Sequence, residues 1–204
     1  MSDERPTILN FLEGRQDWLD QVDEDVIDPD REIVDPHHHL WDRPGSLYEL
    51  DALHKDTGSG HNVVQTVFVQ CHAYHLRDGQ QHLRPVGETR AVAEMARQSA
   101  DLDGAEIAGI VAHADLRLPL AELDEVLDAH EEAGDGRFRG IRHHAAWLDD
   151  TDPLLIPGRA PQGLYADPDF QRGVRRLGAG RHGLARFGDR SVLSRADLRR
   201  ERDE

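Results

Sequence analysis

The chain has 204 residues, room for one sizeable domain or two small ones. Its 40 acidic residues outnumber 24 basic ones, the formal net charge is −16, and only 38% of residues are apolar. That balance argues against nucleic-acid and anionic-membrane binding, which need clustered Lys and Arg, and the single cysteine, Cys71, excludes an internal disulfide.

Residues 1–30 read as an acidic N-terminal extension, with a short helix over Phe11 to Val22 and a turn at Asp28-Pro29-Asp30. The opening MSDERPT is polar and lacks a signal-peptide core, and no run approaches the ~18 apolar residues of a membrane span, so the expected location is the cytoplasm. A first strand over Glu32 to Asp35 runs into three consecutive histidines. Tyr48 to Leu53 reads as a short helix. Asn62 to Gln70 (NVVQTVFVQ) is β-branched and aromatic, a strand composition. Thr89 to Ser99 spaces Val92, Met95, Ala96 and Ser99 as one helix face.

Ile107 to Ala112 is the third strand. Leu120, Leu123, Val126 and Leu127 mark an amphipathic helix that stops near Gly134. Phe138 to His143 is the fourth strand. Asp167-Pro168-Asp169 opens a last helix, with Phe170, Val174 and Leu177 inward. The order β-α-β-α-β-α-β-α predicts an α/β fold with a parallel sheet of four βα units over residues 31–178. Residues 179–204 read as an Arg-rich tail, irregular or helical, with no apolar run for a fifth strand.

Parallel α/β folds bind ligands at the carboxyl ends of their strands. Here those ends read Asp35-Pro36-His37-His38-His39, Cys71-His72, His113-Ala114-Asp115 and Arg142-His143-His144. Strand alternation puts Asp35, His37 and His39 on one face and His38 on the other. Imidazoles two residues apart can grip one divalent metal such as Zn. The plain alternative is a polar loop that happens to hold histidines. Arg142 suits a substrate carboxylate through its planar fork, or an ion pair with one of the many acids. His113 and His143 are further candidates for substrate contact, with a hydrogen-bonded strand terminus as the bland alternative. Cys71 reads as a small packed residue and Glu88 as an acid at a helix N-terminus.

IVDPHHHLWD (33–42) resembles the strand-one D-x-H-x-H signature of the amidohydrolase superfamily. It is similar, more narrowly, to the amidohydrolase-related metal-dependent hydrolases and lactonases. HNVVQTVFVQCHA, RPVGETR, AGIVAHADL and FRGIRHHAAW follow in the order and spacing of that group. The resemblance covers about residues 31–178. It implies a (β/α)8 TIM barrel with its site at the carboxyl face, and His37 and His39 as metal ligands. It also implies a metal-activated water attacking a carbonyl while an aspartate takes the proton. Some lactonases of this kind work without metal, so the implied cofactor is a divalent ion or none.

A barrel of this class needs about 250 residues. The sequence therefore reads as its N-terminal half, family-like to about Leu177, without the later-strand ligands or the catalytic aspartate. Half a barrel leaves sheet edges unpaired, which favours a homo-oligomer. The expected function is hydrolysis of a small lactone, amide or similar carboxylate. The alternatives are an inactive remnant of such an enzyme and a non-catalytic acidic interaction protein.

Overall fold

The computed structural model describes residues 21–22, 24–147 and 160–179. Its main sheet holds β1 (Ile33–His38), β4 (Val63–Val69), β5 (Glu106–Ala112) and β6 (Phe138–Ile141), in that spatial order and all parallel. A small antiparallel hairpin, β2 (Trp41–Arg43) with β3 (Ser46–Tyr48), follows β1 and leads into α1 (Leu50–Thr57). Helix α2 (Val86–Ala100) connects β4 to β5, and α3 (Leu120–Ala133) connects β5 to β6. Helix α4 (Pro168–Gly178) closes the described chain. The α/β class and the four strands are as the sequence predicts. The hairpin is an addition, fixed by stacking of Trp41 on Tyr48 at 5.0 Å and by Trp41 Nε1 donating to Ser46 Oγ at 3.0 Å. The helix expected at Phe11–Val22 and the tail at 179–204 lie outside the described residues, apart from Gln21, Val22 and Ala179.

Each new strand is added on the same side of the last. Crossovers of one hand then drop their helices on one face of the sheet. Val92, Ala93 and Ala96 of α2 pack there with Leu40, Leu53, Phe68, Ile107 and Ile110. Leu123, Val126 and Leu127 of α3 and Phe170 of α4 pack with Ala112, Phe138 and Ile141. Full burial of each large side chain contributes about 1.5–3 kcal/mol, so this face carries most of the stabilisation. Among the described residues, no helix packs on the opposite face. Val34, 52% exposed, lies there with Val67, Val69 and Val111, lining a cavity of about 400 Å³.

Helix α4 starts as its sequence dictates. The Asp167 side chain accepts from the backbone N–H groups of Asp169 and Phe170, and Pro168 fills the first helical position. Gly173 lets α4 seat on the loop after β5, because a Cβ there would stand 2.0 Å from the Leu116 carbonyl oxygen. Arg176 then ties α4 to Asp124 of α3 with contacts of 2.6 and 2.9 Å. Among the described residues no helix is long and apolar enough to cross a membrane.

One expectation about β1 needs correction. Strict alternation would put Asp35 on the face of His37. A register shift between Asp35 and His38 interrupts the pairing with β4. Such a bulge re-aims the side chains after it. Val34, Pro36 and His37 line the open-face cavity, and Asp35 is not among its lining residues. Asp35 Oδ1 instead accepts the backbone N–H of His37 at 3.0 Å. His38 does turn inward, 8% exposed, with its Nε2 3.0 Å from the Thr66 hydroxyl.

Candidate functional site at the carboxyl rim of the sheet

A histidine stands at the end of each parallel strand or within three residues after it, and most of these meet. The rings of His37 and His39 stand edge to face, centroids 4.9 Å apart. His72, after β4, touches three other rings: His113 at 5.1 Å, His144 at 5.4 Å and His75 at 5.4 Å. His113, after β5, lies 5.7 Å from His143 and 6.4 Å from His75. The result is a rim of imidazoles fed by β4, β5 and β6, beside the pair from β1.

Hydrogen bonds fix several tautomers. A ring nitrogen facing a carbonyl must carry the proton. His39 Nδ1 lies 2.7 Å from the Val69 carbonyl and His113 Nδ1 lies 3.1 Å from the Arg142 carbonyl. Both rings therefore keep the Nε2 lone pair as an acceptor. His143 is the reverse. Its Nδ1 accepts the Leu116 backbone N–H at 3.1 Å, and the residue is 8% exposed. It props the loop after β5. Asp115, which shares that loop, is taken up by Arg117, whose side chain contacts its carboxylate at 2.9 and 3.0 Å.

The clustered rim imidazoles are neutral near pH 7. Burial, reinforced by neighbouring imidazoles and by Arg142, pushes His72 and His144 down to about 4. Burial likewise lowers His39, His75 and His113. Neutral imidazoles offer lone pairs without charge, the state that accepts a proton or binds a metal. Arg142 is half-buried, donates from Nη1 to the Gln70 carbonyl at 3.3 Å, and lines the open-face cavity with His37.

His37 and His39 supply two imidazoles. A catalytic zinc site takes three protein ligands. Among the described residues no group of three or more His, Cys, Asp or Glu side chains is arranged to hold a metal ion. The residues present therefore do not by themselves make the metal centre that the resemblance implies, and no chemical step is derived through one.

Sequence reasoning does not single out His75, and it reads Glu88 only as an acid at a helix N-terminus. His75 belongs to the segment CHAYH, where a second histidine three positions after His72 was the available signal. Glu88 does sit in the first turn of α2, but it is 2% exposed. Its Oε1 accepts the backbone N–H groups of Cys71 at 3.2 Å and Ala73 at 2.8 Å. Cys71 is packed as expected. Its Sγ lies 3.2 Å from the Leu40 carbonyl, and burial with the Glu88 carboxylate pushes the thiol up to about 11. No protein-family model, curated protein or solved structure matches this chain.

Proposed function

We propose that the chain is a hydrolase of the amidohydrolase-related kind, its four βα units corresponding to the N-terminal half of a (β/α)8 barrel. Its substrate class is a small lactone, amide or related carboxylate. The observation that carries this reading is the ring cluster of His72, His113 and His144 at one strand rim, with His113 Nδ1 against the Arg142 carbonyl and the His37–His39 pair beside it. A neutral imidazole there takes a proton from water as the water attacks the carbonyl. The same proton then passes to the departing alkoxide or amine, so the ring returns to its starting state. Arg142 holds the substrate carboxylate through its guanidinium fork. A divalent ion at His37 and His39 belongs to the reading only if a third ligand joins them.

The test is turnover of a panel of lactones and amides by the purified chain, with and without added zinc, alongside metal analysis. Replacing His39 with Ala is expected to lower kcat/KM by about 10²-fold or more, and Arg142→Ala to raise KM about tenfold. A folded protein that turns over none of the panel under either condition overturns the reading. The two-ligand count at β1 favours a second reading, a catalytically silent relative that keeps the pocket. Binding of a carboxylate ligand without turnover identifies it. Self-association through the edge strands β1 and β6 belongs to the first reading, and sedimentation velocity reads it directly.

A further inference from the structure

Behind the rim, the loop from Cys71 to His75 holds two non-glycine residues in the left-handed region, His72 at φ 61° and Tyr74 at φ 49°. L-residues resist that conformation, so something must hold it. Two contacts with the start of α2 do. Gly87 lies so close that a Cβ would stand 2.5 Å from the Tyr74 carbonyl oxygen. Glu88 Oε1 accepts from Cys71 and Ala73, one on each side of His72. Its second oxygen, Oε2, lies 3.9 Å from His75 Nε2. That nitrogen is buried and has no hydrogen-bond partner among the described residues. Oε1 is thus committed to the loop, and Oε2 faces an imidazole nitrogen that lacks a bond.

We propose that Glu88 is a positioning residue that fixes His75 in the Nε2–H tautomer, leaving Nδ1 as the proton acceptor for water attack at the rim. A carboxylate has only lone pairs to offer, so the nitrogen it faces must carry the proton. The arrangement is that of a carboxylate–imidazole dyad, in which the acid sets the tautomer and steadies the imidazolium that forms. A separation of 3.9 Å closes to hydrogen-bond length with a small side-chain movement. The His75 ring reaches the rim through its contacts with His72 and His113, and the residue also lines a cavity of about 720 Å³ with Asp42, Tyr74 and Arg90, separate from the one lined by His37 and Arg142.

In the step itself a water O–H proton goes to His75 Nδ1 as the water oxygen bonds to the carbonyl carbon. The carbonyl–oxygen or carbonyl–nitrogen bond of the substrate then breaks, and Nδ1 returns the proton to the leaving atom.

Among the described residues, the charged and titratable groups around the pair come from several elements. Glu88 faces the Cys71 thiol, His75 and, further off, Arg43. His75 faces Glu88, His72, His113 and, behind them, His130, and shares its cavity with Asp42, Arg77, Arg90, Glu94 and Arg97. Burial pushes Glu88 up to about 7 and, with His113, lowers His75. Slightly above neutral pH the pair is therefore a carboxylate facing a neutral ring.

The catalytic use of Nδ1 rests on the hydrolase reading, but the tautomer does not. Nitrogen-15 labelling of the histidines and long-range proton–nitrogen NMR at pH 8 read it directly. The expected wild-type result is protonated Nε2 on His75. In Glu88→Gln the amide oxygen can keep the Cys71 and Ala73 bonds while the amide NH2 faces His75. That swap is expected to move the proton to Nδ1, with an unchanged far-UV spectrum. A structural brace alone would not move it.

A wild-type Nδ1–H tautomer overturns the proposal without recourse to any variant, and so does the same tautomer in both proteins. Where a substrate is turned over, Glu88→Gln is expected to lower kcat at least tenfold with KM within twofold. A kcat that does not fall overturns the catalytic use. A tautomer switch in a protein that hydrolyses nothing supports the positioning role and counts against the hydrolase reading alone.

Discussion

His130 and His72 share a pKa pushed down to about 4, yet they belong to different regions of the molecule. His130 sits behind the sheet on α3, 0% exposed, with both ring nitrogens bonded. Nε2 donates to the His113 carbonyl at 2.9 Å and Nδ1 accepts from the Thr89 hydroxyl at 2.8 Å. His72 sits on the rim, exposed, on a left-handed backbone, and touches three rings rather than a partner that satisfies it. Behind the sheet a neutral imidazole is a polar strut, desolvated and fully satisfied. On the rim it is held in reserve, with strain that the helix-covered core offsets.

Acid gives the largest expected effect, and it acts on both regions, because the buried rings and the rim rings of His72 and His144 all fall to about 4. His38, His130 and His143 are buried, and each falls from an ordinary 6.5 to about 4 in the fold. A depressed pKa contributes stability that is present above the unfolded value and lost as pH falls through the folded one. At 1.36 kcal/mol per unit, each contributes about 3 kcal/mol at most. Glu88 acts in the opposite sense. Its pKa is raised from 4.5 to about 7, so its contribution is lost as pH rises through that window and recovered as pH falls. One such group does not offset three histidines. Urea titrations from pH 7.5 down to 4 are expected to show stability falling below pH 6.5 by several kcal/mol. A flat profile across that range would contradict the assignment of all three as buried neutral rings.

The backbone of this fold was legible because periodicity and turn chemistry are local. NVVQTVFVQ became β4, and Asp167-Pro168-Asp169 became a capped helix start, since each follows from neighbours within four residues. The sorting of thirteen histidines into struts and rim was not legible. His143 and His144 are adjacent, yet one bonds the Leu116 backbone and the other stacks on His72 at 5.4 Å. That division depends on partners some 27 to 72 positions away in the chain, which no local pattern encodes. The bulge in β1 is a similar case. The D-x-H-x-H spacing is plain in the sequence, but the register shift that separates Asp35 from His37 is set by the pairing with β4.

A single substitution on each side sharpens the contrast. His130→Ala removes a fully buried ring and leaves the His113 carbonyl and the Thr89 hydroxyl without their partner. The expected loss is about 3 kcal/mol, the sum of a cavity and unsatisfied polar groups. His144→Ala takes away a half-buried ring with no such bonds among the described residues, and the expected change is within about 1 kcal/mol. Urea midpoints at pH 7.5 measure both. Equal losses would mean that the rim rings are packed as structurally as His130.

The smallest effect is the most informative about the rim, because its sign is opposite. His72→Gly deletes an imidazole at φ 61°, where an L-residue carries a strain of about 1–2 kcal/mol. Glycine adopts that conformation freely, although it loses more backbone entropy on folding, about 0.5–1 kcal/mol. The ring being lost makes no hydrogen bond among the described contacts, and its contacts with His75, His113 and His144 offset part of the gain. The net expectation is a protein more stable by about 0.5–1 kcal/mol that has lost rim activity. A matched His72→Ala variant keeps the strain while removing the same ring, so the difference between the two isolates the backbone term. If glycine were no more stable than alanine here, the loop would not be strained, and Glu88 would have nothing to hold in place.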